Sequence, residues 1–113
     1  MSEVTYAEAA RRAMADALAE SDRVVMLGED IGAAGGVFKV TEGLQERFGP
    51  RRVADTPISE QAIVGAAIGA GLKGLRPVAE IMFADFAATC FDQIANQVAK
   101  YRYMTGGQVT VPL

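Results

Sequence analysis

Apolar residues recur along the first third of the chain at two different periods. Tyr6, Ala10, Ala13, Met14, Ala17 and Leu18 fall at helical spacing, with Arg11, Arg12, Asp16 and Glu20 elsewhere on the wheel, so a helix is expected from Tyr6 to near Ser21. Thr5 and Glu8 frame it as a capping box. The pattern then changes to an unbroken apolar run over 24–27, the mark of a strand covered on both faces, with Gly28, Glu29 and Asp30 at its end. Gly32, Gly35 and Gly36 predict a flexible loop. Thr41 offers a cap for a short helix over 42–48, which Gly49 and Pro50 stop.

The alternation continues. A strand over 52–55 leads past Pro57 to a helix over 59–73, and a second buried strand is expected over 77–83. Asp85 can cap a long helix whose apolar stripe is Ala87, Cys90, Phe91, Ile94, Ala95, Val98 and Tyr101. After Gly106 and Gly107, residues 108–113 read as a further strand. Strand and helix in turn imply an α/β domain with a mainly parallel sheet and helices on both faces. In such sheets functional groups gather beyond the C-terminal strand ends, where Glu29, Asp30, Glu60 and Asp85 fall.

Composition narrows the chemistry. At 113 residues, half of them hydrophobic, the chain is one globular domain. A net charge of -3 without any Lys/Arg cluster argues against nucleic acid or an anionic membrane as partner. The longest weakly polar run, 62–72, is too short to span a bilayer. Cys90 is the single thiol, so no intrachain disulfide can form. With no signal-peptide pattern, a reducing compartment is expected: the cytoplasm in a bacterium, the mitochondrial matrix in a eukaryote. The absence of histidine excludes a Ser-His-Asp triad, a Cys-His pair and most zinc sites, and no residue is assigned to a metal.

Glu60 is the sharpest candidate group. A carboxylate in the first turn of a helix sits at the positive end of its dipole, where by itself it reads first as an ordinary stabilising residue and only second as a proton-transferring one. What distinguishes it is the helix behind. Gly65 and Gly69 lie four apart and clear one face for a neighbouring helix or ligand, at about 1 kcal/mol of helix propensity each. Such a cost calls for a close packing partner.

Five segments carry a resemblance: Gly28-Glu29-Asp30-Ile31-Gly32, Asp55-Thr56-Pro57-Ile58-Ser59-Glu60, Glu80 through Phe86, Phe91 through Gln97, and Tyr103-Met104-Thr105-Gly106-Gly107. In order and spacing they resemble the start of the β subunit of thiamin-diphosphate-dependent 2-oxo-acid dehydrogenases, the pyruvate and acetoin dehydrogenase types above all. The Glu60-to-Gly65 spacing resembles the helix signature of the pyrimidine-binding domain of thiamin enzymes generally. That family's subunit is considerably longer, so residues 1–113 would be its leading, pyrimidine-binding domain.

The resemblance implies that Glu60 hydrogen-bonds the pyrimidine ring nitrogen of thiamin diphosphate and favours the imino tautomer of the cofactor. Phe86 would stack on the pyrimidine ring. Ile58 and Met82 would lie beside it, Met82 standing where many relatives have Gln. Glu29 would join a carboxylate network linking two active sites, although a strand-end acid is more often simply solvated. The implied partners are an α subunit bringing magnesium and the diphosphate-binding segment, a second β subunit, and a lipoyl acyltransferase core. Alternatives are an acetoin dehydrogenase β subunit, a thiamin enzyme of the transketolase or deoxyxylulose-phosphate synthase kind, and a non-catalytic α/β interaction module.

Overall fold

Alternating strands and helices build one parallel sheet in a computed structural model that describes residues 3–113. Helix α1 (Tyr6–Glu20) leads to strand β1 (Val24–Gly28), helix α2 (Leu44–Phe48), strand β2 (Val53–Asp55), helix α3 (Glu60–Leu72) and strand β3 (Arg76–Ala79). A 3₁₀ helix (Ala84–Cys90), a wider π-helical segment (Gln93–Val98) and helix α4 (Tyr101–Met104) follow. The sheet order is β2-β1-β3, with both pairings parallel. The expected α/β class with helices on both faces therefore stands.

Strand β1 explains the layering, because successive side chains point to opposite faces. Val24 and Met26 are buried with Leu18 of α1, Leu44 of α2, and Ile31 and Val53. On the other face Leu27 shares a recess of about 250 Å³ with Ala62, Ile63 and Ala66 of α3. That face is only partly covered, so β1 is not sealed on both sides as its apolar run suggests. A second cluster joins Val64 and Ile68 of α3 to Cys90, with Ile81, Val98 and Val111 against it. Full burial of a side chain such as Met26 contributes about 1.5 to 3 kcal/mol.

Several expected ends move. Thr5 does cap α1, accepting from the Glu8 backbone N–H at 3.2 Å, but the Glu8 carboxylate pairs with Arg11 and Arg12 instead of reaching back. Those two ion pairs pull the Glu8 carboxyl below the usual carboxylate range, the Arg12 bond first. Thr41 does not cap α2. The chain turns through Gly43 at φ 77°, so the Thr41 carbonyl and not its hydroxyl takes the Leu44 N–H at 3.1 Å. Ser59 precedes α3 without a side-chain capping bond, and exposed Asp85 caps nothing.

The long helix expected from Asp85 is broken. The Thr89 hydroxyl donates to Phe86 O at 2.7 Å, and the Cys90 thiol reaches back to Ala87 O, local bonds that compete with the α-helical ladder. Strand β3 stops at Ala79, not at residue 83, because β1 ends at Gly28; the last rung is Glu80 N to Leu27 O at 2.9 Å. Residues 108–113 form no strand. They run irregularly along α3, where a side chain on Gly71 would press on Pro112 Cδ at 3.3 Å and Val111 Cγ1 at 3.4 Å.

One tie crosses the fold. The Arg52 guanidinium donates to Leu18 O at 2.8 Å and Val24 O at 2.9 Å through Nη2, and also to Ser21 O. Helix α1 has no basic residue in its last turn, so Arg52, more than thirty positions on, supplies the cation that its C-terminal carbonyls favour.

Candidate active site

Register places the site. Gly28 pairs with Asp55 and Leu27 with Ala79, so the residues that follow, Glu29, Thr56 to Glu60, and Glu80 to Met82, leave the sheet at one edge. Two of these departures are tied together, for Thr56 N–H donates to Gly28 O at 2.9 Å. Asp55 reaches the glycine segment, its Oδ1 accepting from Gly32 N–H at 2.6 Å. Gly36 N–H donates to Asp30 O at 2.8 Å, and Thr41 N–H to Gly35 O at 3.2 Å. The loop expected to be flexible is thus tied by three backbone N–H bonds, from Gly32, Gly36 and Thr41. Glycine is required at position 35, where φ is +73° and a Cβ would stand 2.8 Å from Glu42 Cα.

Glu60 opens α3 with its side chain half-buried, and no other side chain hydrogen-bonds or ion-pairs with it among the described residues. A carboxylate at a helix start without a protein partner is free to meet a ligand. Helix α3 packs against the 3₁₀ helix that carries Phe86, bringing the two candidate residues onto neighbouring elements. The Phe86 ring remains 38% exposed. Ile58 stands out at 84% exposed, while Met82 is half-buried.

Glu29 differs from a solvated strand-end acid: it is 8% exposed, and its Oε1 has no hydrogen-bond partner. Gly65 faces Gln93, whose Oε1 would lie 3.7 Å from an added Cβ, whereas Gly69 meets nothing within 4 Å. Within this chain the glycine of α3 that close neighbours demand is Gly71, which the Glu60-to-Gly65 spacing does not single out.

Two features escaped the sequence reading. Phe83 stacks edge-on with Phe86, ring centroids 5.4 Å apart, and with Phe38 at 5.5 Å. The spacing of Phe83 and Phe86 was a local signal, but nothing local pointed to Phe38. Glu80 was the other. Its side chain lies on the loop-covered side of the sheet, where its Oε1 would stand 3.8 Å from a Cβ added at Gly36, and burial pushes its carboxyl above the ordinary 4.5. A raised folded-state value means that its contribution to stability is present below about pH 4.5 and is lost as pH rises through the folded value. Glu80→Gln, which mimics the protonated acid, is expected to remove that fall from a series of urea midpoints taken from about pH 4 to about pH 7. An unchanged pH profile in the variant contradicts the assignment.

Among the described residues no three acidic, Cys or His side chains gather closely enough to hold a metal ion. The edge therefore offers a carboxylate, an exposed ring and apolar side chains, a set of groups suited to a flat, partly polar heterocycle. Residues 2–112 match the family described as transketolase, pyrimidine-binding domain. The chain belongs to that family.

As a pyrimidine-binding domain it is 47% identical to the pyruvate dehydrogenase E1 component subunit beta of Rickettsia conorii, over 98% of this chain and 34% of the relative. It is 47% identical to the 3-methyl-2-oxobutanoate dehydrogenase subunit beta of Mycobacterium tuberculosis, over 97% of this chain and 32% of the relative. The acetoin:2,6-dichlorophenolindophenol oxidoreductase subunit beta of Bacillus subtilis is 48% identical, over 97% of this chain and 36% of its own. The domain spans about a third of the length of these relatives.

Proposed function

We propose that residues 1–113 are the leading domain of the β subunit of a thiamin-diphosphate-dependent 2-oxo-acid dehydrogenase, which decarboxylates pyruvate or a related 2-oxo acid and passes the acyl fragment to a lipoyl group. The observation that carries this reading is the unpartnered Glu60 carboxylate at the start of α3, on the helix that packs against the element bearing the exposed Phe86 ring. When bound, thiamin diphosphate supplies the electron sink for decarboxylation.

The protein's own residues do the rest. Glu60 holds a proton between its carboxylate and the pyrimidine ring nitrogen, shifting the basicity of the heterocycle at the point of contact. Phe86 would hold the pyrimidine ring in place by stacking, worth about 0.5 to 1.5 kcal/mol beyond the area buried. Ile58 and Met82 keep water from the ring edge. Glu29, buried with one unpartnered oxygen, would join a carboxylate network linking two active sites. Open space over Gly69 suits close approach of another subunit, a second β chain or the α subunit. The α subunit would bring magnesium and the diphosphate-binding segment, and the assembly would serve a lipoyl acyltransferase core.

Identities of 47%, 47% and 48% to pyruvate, 3-methyl-2-oxobutanoate and acetoin enzymes favour no one substrate. The test is to assemble the full-length β subunit with its α subunit, add thiamin diphosphate and magnesium, and follow dye reduction with each of the three. One substrate is expected to support turnover well above the others. If all three stay at background with saturating cofactor, the reading is wrong.

A further inference from the structure

We infer that Phe38, at the tip of the pinned glycine loop, is a positioning residue that fixes Phe86 through Phe83. This deepens the reading of Phe86 as the ring that stacks on the cofactor pyrimidine, and rests on it. Three phenylalanines stand in series: Phe38 and Phe83 have centroids 5.5 Å apart with planes at 74°, and Phe83 and Phe86 are 5.4 Å apart at 72°. Both are edge-to-face contacts, the arrangement in which the positive rim of one ring meets the negative face of the next.

None of the three belongs to either apolar core. Phe38 is 62% exposed and Phe83 39%. The Phe83 and Phe86 rings therefore stand outside both cores, while the 3₁₀ helix below them is anchored on α3 through buried Cys90 and closed by its own short-range bonds. An exposed ring free to change rotamer stacks poorly, because the ordering must then accompany ligand binding. From outside its own segment, Phe38 supplies the aromatic contact to Phe83. The loop can serve as a fixed post because it is itself tied down, at Gly32 by Asp55, at Gly36 by the Asp30 carbonyl, and at Lys39, whose ammonium donates to Ala34 O at 2.7 Å. The glycines at 35 and 36, both at positive φ, let the chain fold back and carry Phe38 over Phe83. The loop so sets how tightly the pyrimidine is held, without touching it.

The experiment is a double-mutant cycle on the full-length β subunit assembled with its α subunit, reading the dissociation constant of thiamin diphosphate at saturating magnesium. Phe38→Ala is expected to weaken cofactor binding about three- to tenfold, with kcat recovering at saturating cofactor. In a Phe86→Ala background the same change is expected to have no further effect, since its influence runs through Phe86. Phe38→Tyr keeps an aromatic edge and is expected to restore affinity, whereas Phe38→Leu is not. Should Phe86→Ala weaken binding while Phe38→Ala does not, or does so equally in both backgrounds, the positioning role is refuted and the stacking role of Phe86 survives. Should Phe86→Ala leave affinity unchanged, the stacking reading fails and this inference with it.

Discussion

Glu60→Gln, in the full-length β subunit assembled with its α subunit, is expected to lower turnover about 100- to 10,000-fold while cofactor affinity stays within about tenfold. Glutamine keeps the length and shape of the side chain and its place in the first turn of α3. It cannot share a proton as a carboxylate does. The loss should therefore fall on kcat and not on cofactor binding, which is the mark of an interaction made chiefly in the transition state. Stability should change little, because Glu60 has no side-chain partner among the described residues and gives up only a favourable interaction with the helix dipole. The measurement is kcat together with a thiamin diphosphate titration, wild type beside variant. Turnover within about threefold of wild type would exclude proton sharing by Glu60.

Arg52→Met is the second large effect, and it falls on folding. The substitution keeps an unbranched apolar stem near Phe48 and deletes every donor. The carbonyls of Leu18, Ser21 and Val24 lose their common partner, at a site where the arginine is mostly buried. Hydrogen bonds to charged groups contribute about 1.5 to 3 kcal/mol each, but three made by one guanidinium do not add, so a loss of about 3 kcal/mol is expected in urea unfolding. That is a large share of a stability of about 5 to 15 kcal/mol. Arg52→Lys should recover only part of it, since one ammonium cannot reproduce the guanidinium fork. The Asp22 pair at 3.4 Å, with Asp22 fully in solvent, should matter little, and Asp22→Asn serves as the control. A loss below about 1 kcal/mol in Arg52→Met would mean that water satisfies the three carbonyls.

The order and type of the main elements were legible because they rest on local periodicity. Helix α1, strand β1 and helix α3 all lie where apolar spacing puts them, and Gly49 ends α2. Glu60 was legible for the same reason: a helix start is a short-range event. Ends that depend on a partner were not. The last expected strand failed because a strand needs a neighbouring edge, and residues 108–113 instead lie along α3 beside Gly71. Thr41 failed as a cap because Gly43, at positive φ, takes the N-cap position, and the buried Thr41 hydroxyl is left without a partner.

What the sequence by itself determined is therefore the α/β alternation, the segment that ends in Glu60, and the family to which those residues point. Tertiary structure alone decided the sheet order, the Arg52 cap on a helix more than thirty positions away, the pinning of the glycine loop by Asp55, and the Phe38-Phe83-Phe86 series. The physical reason is range. Periodicity and capping act over one or two turns of chain and leave a trace in neighbouring residues, whereas a guanidinium reaching carbonyls or a ring meeting a ring depends only on where the folded backbone brings them.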